Sequence, residues 1–189
     1  MKQDEILKLK SAFLYILNKQ RYIDQFHAFK ILYFADREHL AKYGRRIIHD
    51  TFYAMENGPV PSNLYDTVKF KNGHLEKPQF YNAVAFKPIL DSFETGSGDT
   101  YYYLSAKELP DLDELSKSDM ECLDLSFSKY KDLDMGELSD VSHDTAWSKA
   151  WIKRQNCSID YLDMAEAGGA SEDLIEYIRE SEELASYLQ

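Results

Sequence analysis

The chain has 189 residues, of which 44% are hydrophobic and 14% aromatic, and a net charge of -11. That much apolar surface closes a core and excludes a disordered chain, in which low hydrophobicity accompanies high net charge. Two distant cysteines, a charged start followed by an apolar stretch that Lys8 and Lys10 interrupt, and no run near the roughly 20 apolar residues of a bilayer span leave a soluble cytoplasmic protein as the expectation.

Ile6, Leu7, Leu9, Phe13, Leu14, Ile16 and Leu17 recur at helical spacing with no proline or glycine between them. They predict an amphipathic helix that ends near Asn18 and Lys19. A second helix is expected from Asp24, its N-cap, to Tyr43, with Gly44 as C-cap and Arg45 and Arg46 meeting its carbonyl end. Phe26, Phe29, Ile31, Leu32, Tyr33, Phe34 and Leu40 make this helix apolar on more than one face, which places it centrally. Residues Ile47 to Met55 read as extended. Then Glu56-Asn57-Gly58-Pro59-Val60-Pro61-Ser62-Asn63 forms a stiff segment, because Asn-Gly signals a turn and each proline fixes its own φ and restricts its predecessor. A short helix with Leu64, Tyr65 and Val68 follows, started by Pro61 and Ser62, and residues 69–81 read as a loop.

A β-hairpin is expected next, with strands at 84–93 and 100–104 joined by residues 94–99, and with Pro88 suited to an edge. From Ser116 the period is helical again, opened by a Ser116–Asp119 capping box, with Met120, Leu123, Leu125, Phe127 and Tyr130 facing the core. Short helices are predicted at 133–141, from Ser142 or Asp144 through Trp147 and Trp151, and at 158–164 before Gly168-Gly169. Ser171 caps a last amphipathic helix bearing Leu174, Ile175, Ile178, Leu184, Tyr187 and Leu188. The fold class is α+β: a mainly α-helical single domain over 1–189, with a small antiparallel β-sheet or hairpin and an acidic C-terminal helix at 171–189.

Motifs for catalysis are missing. The sequence has no phosphate-binding glycine loop, no dinucleotide fingerprint, no His-Glu-x-x-His and no nucleophile elbow. His39, His49 and His143 with Asp36 and Asp50 have a spacing that permits a metal, but any scattered set would, and hydrogen-bonded histidines are the ordinary alternative. Asp36, Arg37, Glu38 and His39 form a charged cluster within the apolar helix. A buried Asp36 needs a partner, for which Arg45, Arg46 or the Gly58-Pro59 backbone qualifies, so the cluster reads as a network pinning the proline turn to the central helix. His143 and Trp147, four apart, share a helical face as a core latch or as a binding site.

Charge is uneven: residues 1–90 carry 14 Lys/Arg against 9 Asp/Glu, and residues 91–189 carry 8 against 24. The acidic half favours a basic partner and repels phosphate backbones, although surface solvation accounts for the same excess. No helix has a dense basic face despite Arg45, Arg46, Lys69, Lys71, Lys77 and Lys87, so direct nucleic-acid binding is not expected.

The segment from Phe29 to Arg45, the run from Asp50 to Asp66, the helix start Leu115 to Asp119, and the block Leu138 to Trp147 together resemble the Panacea domain, the SocA-like antitoxin family once called GepA-like and phage-associated. The resemblance spans roughly residues 5–165. It implies a bacterial, often prophage-encoded antitoxin that neutralises a cognate toxin by direct contact, and a relative serves as an adaptor delivering its toxin to a bacterial protease. It implies no enzyme activity, cofactor or metal. Carried onto this chain, the family-typical residues are Tyr33, Asp36, Arg37, His39, Gly58, Pro59, Val60, Pro61, Tyr65, His143 and Trp147. A hydrolase-type enzyme built on Asp36, His39 and His143 is the competing class, and it requires those side chains to converge on an open pocket.

Overall fold

The computed structural model describes residues 1–75, 84–98 and 100–187. In chain order the elements are α1 (Gln3–Leu17), β1 (Ile23–Asp24), α2 (Gln25–Tyr43), β2 (Phe52–Met55), β3 (Gly58–Pro61), α3 (Ser62–Lys71), α4 (Lys87–Leu90), β4 (Phe93–Gly96), β5 (Tyr103–Ala106), α5 (Lys117–Tyr130), α6 (Met135–Ser142), α7 (Thr145–Lys153), β6 (Cys157–Ser158), α8 (Tyr161–Ala167) and α9 (Glu172–Tyr187). The architecture is α+β and mainly helical, with two small antiparallel sheets in the orders β1-β5-β4 and β3-β2-β6.

Helix α2 is the axis. It packs on α1, α5, α6, α8 and β3, which explains why its apolar residues occupy more than one face. Asp24 caps its start by accepting from His27 N at 2.9 Å, and Gly44 ends it at φ 66, a left-handed conformation that costs glycine little. Phe13, Ile31, Leu32, Phe52, Leu64, Phe93, Leu123 and Leu138 are among the buried side chains of the core cluster that surrounds it. Burying side chains of this size supplies about 1.5–3 kcal/mol apiece. No helix of the described residues is long and apolar enough to cross a membrane.

Several expectations are corrected. The stiff proline segment is itself a strand: β3 pairs with β2 across a Glu56-Asn57 turn, with Ala54 opposite Pro59 and Phe52 opposite Pro61. Ser62 N donates to Thr51 O at 2.9 Å, so by the alternation of an antiparallel ladder both prolines sit where no N–H toward β2 is needed. Only residues 52–55 of the expected 47–55 extension are strand. Residues 84–92 are not a strand, and of the expected 84–93 only Phe93 is. They hold a turn and α4, with Pro88 in its first turn, where its missing N–H costs nothing and where Phe86 and Ile89, three apart, are both buried. The hairpin forms later, from β4 and β5, so Glu94 to Gly96 belong to a strand rather than to the connection.

Helix α3 runs on to Lys71, and the rest of the expected 69–81 loop lies partly outside the described residues. Leu125 points to solvent, 55% exposed, because it falls off the face that carries Cys122, Leu123, Phe127 and Tyr130. Arg45 reaches Ser118 Oγ at 3.4 Å and Arg46 lies over the Tyr161 ring, so their contacts are tertiary. The side chains of Tyr187 and Leu188 lie outside the described residues.

Candidate functional site

Two polar residues of α2, one turn apart, reach the start of α7. Tyr33 Oη donates to both Asp144 oxygens at 2.9 and 3.0 Å, and Arg37 donates from one terminal nitrogen to Asp144 Oδ2 at 2.6 Å. The same carboxylate caps α7, accepting from Trp147 N at 3.0 Å. One acid therefore ties the α6–α7 joint to α2 and satisfies a helix terminus. Burial and the Asp144 charge hold the Tyr33 phenol well above its ordinary pKa, so it stays a donor.

The β2–β3 hairpin is held from two sides. Lys30, on α2 and only 1% exposed, donates from Nζ to Pro59 O at 2.9 Å. That carbonyl belongs to the outward edge of β3, which β2 does not satisfy. Opposite, Trp147 donates from Nε1 to Met55 O at 2.9 Å. His143, at the end of α6 and not on the helix of Trp147, stacks on the indole at 3.8 Å between centroids, and Trp151 continues the stack at 5.1 Å. At Gly58, φ is 96, and an added Cβ would lie 2.2 Å from Ser142 Oγ and 3.0 Å from Lys30 Nζ, so only glycine fits both the backbone and the clamp.

The other singled-out residues lie elsewhere. Asp36, buried, accepts at Oδ1 from Ile47 N at 2.6 Å and Ile48 N at 3.2 Å, so its partner is neither arginine nor the proline turn, but the backbone that bends back after α2. Burial raises its pKa to about 6, against the pull of Arg46 and of those two N–H groups. His39 is fully buried, with Nδ1 on Arg45 O at 2.7 Å and Nε2 on Ser118 Oγ at 3.0 Å, and burial lowers its pKa. Asp50 accepts from Asn63 N and Leu64 N at 3.0 and 2.9 Å and so caps α3 from a distance, where Pro61 offers no side-chain cap. Tyr65 packs edge-on to Phe29, and Val60 lies half-buried in β3. Asp36 and His39 thus join separate networks from His143. Among the described residues no three His, Cys, Asp or Glu side chains group as metal ligands.

Between α2 and the hairpin lies a cavity of 190 Å³, walled by Phe26, Phe29, Tyr65 and Tyr101 and bordered by Gln25 and Lys30. Lys30 Nζ lies 4.7 Å from the Phe26 ring centroid, and burial alone lowers its pKa to about 7. Tyr101 stacks on Phe26 at 5.1 Å and its hydroxyl accepts from Asn57 Nδ2 at 3.3 Å.

The family model for the SocA-like antitoxin, Panacea domain, matches residues 29–148. The chain belongs to the Panacea-domain family. No curated protein and no solved structure matches it. The match to the Panacea domain begins one residue before Lys30 and ends one residue after Trp147, so it contains both holds on the hairpin. Of the family-typical residues, Tyr33, Arg37, Gly58, Pro59, His143 and Trp147 gather around Asp144 and the hairpin, whereas Asp36 and His39 brace the turn after α2. Sequence reasoning passed over Lys30, Asp144's role as a joint, and the place of Ser142 beside Gly58. Lys30 had a signal, being a lysine inside the otherwise apolar run from Phe29 to Phe34.

Proposed function

We propose that the chain is an antitoxin that neutralises a cognate toxin by direct protein–protein binding. The observation that carries the reading is the Panacea-domain match over 29–148, a span whose charged core residues Asp36 and Asp144 are committed to internal contacts. A hydrolase would need Asp36, His39 and His143 around one open pocket, and the first two are buried in networks of their own. Recognition falls to outer surface. The exposed acids Glu172, Asp173, Glu176, Glu180 and Glu183 of α9 suit a basic partner face. Delivery of the toxin to a bacterial protease is the alternative mode of the same binding function.

Co-expression with the products of neighbouring genes tests it. One product should co-purify with the chain and stop growth when expressed without it. Survival of that toxin protein in cells lacking their ATP-dependent proteases, and not in cells that have them, would identify delivery. Absence of both a co-purifying product and growth rescue would overturn the antitoxin reading.

A further inference from the structure

We propose that the cavity between α2 and the hairpin is a binding site for one carboxylate group carried on an apolar, side-chain-sized body. Lys30 is the recognising group. Its ammonium has three donors, of which the fold uses one, on Pro59 O. Among the described residues no carboxylate lies within ion-pair distance of it, an unusual state for a buried lysine, since a buried charge is costly unless paired. Glu56, the acid of the cavity border, is exposed at the hairpin turn.

A second polar group of the border lacks a partner at one atom. Gln25, 8% exposed, borders the same cavity, and its Oε1 is buried without a hydrogen bond. Lys30 keeps donors to spare for a carboxylate, whereas the Gln25 oxygen, an acceptor, takes an N–H of the occupant, and an unpartnered buried polar group costs free energy. The aromatic walls set the rest of the ligand: Phe26, Phe29, Tyr65 and Tyr101 fit a flat or aliphatic body, and 190 Å³ falls below the roughly 300 Å³ at which drug-sized pockets begin. Gly58 keeps the end of Lys30 uncrowded, as a Cβ there would meet Nζ at 3.0 Å.

The carboxylate has two sources, a free small acid or the chain end of a partner protein; the second rests on the binding reading above. Phenylacetate serves as the probe for the first, and an acetylated Gly-Gly-Phe peptide with a free C-terminus for the second, each against its neutral amide. Titration of the full chain is followed by NMR at the methyl groups of Met55 and Val60, which border the cavity. At least one carboxylate should give saturable shifts and bind at least about tenfold more tightly than its amide, the scale of a charge-assisted hydrogen bond. The tighter of the two carboxylates names the source, and Lys30→Met should remove the preference over the amide. Equal binding of acid and amide, or no saturable shift with either acid, would overturn the proposal in the native chain without recourse to a variant. Growth rescue is scored apart from this, so an indifferent cavity leaves the antitoxin reading in place.

Discussion

Asp36 keeps a carboxylate in the interior with two backbone donors on one oxygen and none on the other, Oδ2. Its folded pKa, about 6, lies above the 3.8 of an exposed aspartate because burial disfavours the charge. The folded state therefore holds the proton more tightly than the unfolded one. The associated stability is fully present below about pH 4 and is lost as pH rises through about 6. Asp36→Asn keeps the acceptor and removes the titration. Urea unfolding of both proteins from about pH 4 to pH 7 should show the variant gaining on the native chain by up to about 3 kcal/mol, the free energy that separates a pKa of 3.8 from one of about 6. A constant difference across that range would contradict the buried charge. That Asp36 needed a partner was legible from one charge in an apolar helix. Which partner was not, because nothing local reveals that the backbone at 47–48 returns to the helix it has just left.

Among elements, those with a sustained 3.6-residue period were legible nearly to their ends: α1, α2, α5 and the start of α9, with Asp24, Gly44 and Ser116 at the capping positions expected of them. Short elements were not. Four-residue α4 offers one turn of pattern, and its proline serves a strand edge and a first helical turn equally well. The β3 prolines misled for the converse reason, since an edge position hides their missing donors. At the candidate site, the residues could be named and their grouping could not, as Asp144 meets Tyr33 across 111 positions of sequence.

Helix α9 stands outside the matched span and buries Ile175 and Ile178. A chain ending at Ala170 should lose about 3–6 kcal/mol of unfolding free energy, an upper bound from the burial of two isoleucines. An unchanged urea midpoint would mean that α9 rests on the body without stabilising it.

For the molecule as a whole, the division of charge sets how it meets a partner. With 24 acidic against 8 basic residues beyond position 90, association with a basic toxin should slow and weaken as salt is raised. Surface plasmon resonance across an ionic-strength series checks this, with the larger change expected in the association rate. A salt-independent rate would place the contact on apolar surface instead.

The hold of Trp147 on Met55 joins positions 92 residues apart. During synthesis the β2–β3 ribbon leaves the ribosome long before the indole that secures its far side. At roughly 5–20 residues per second the nascent ribbon waits several seconds with Lys30 and the Tyr33–Phe52 ring contact as its fastenings from α2. Truncated translation products would therefore carry the ribbon without its far-side fastening, and the last third of the chain decides when that surface acquires its finished shape.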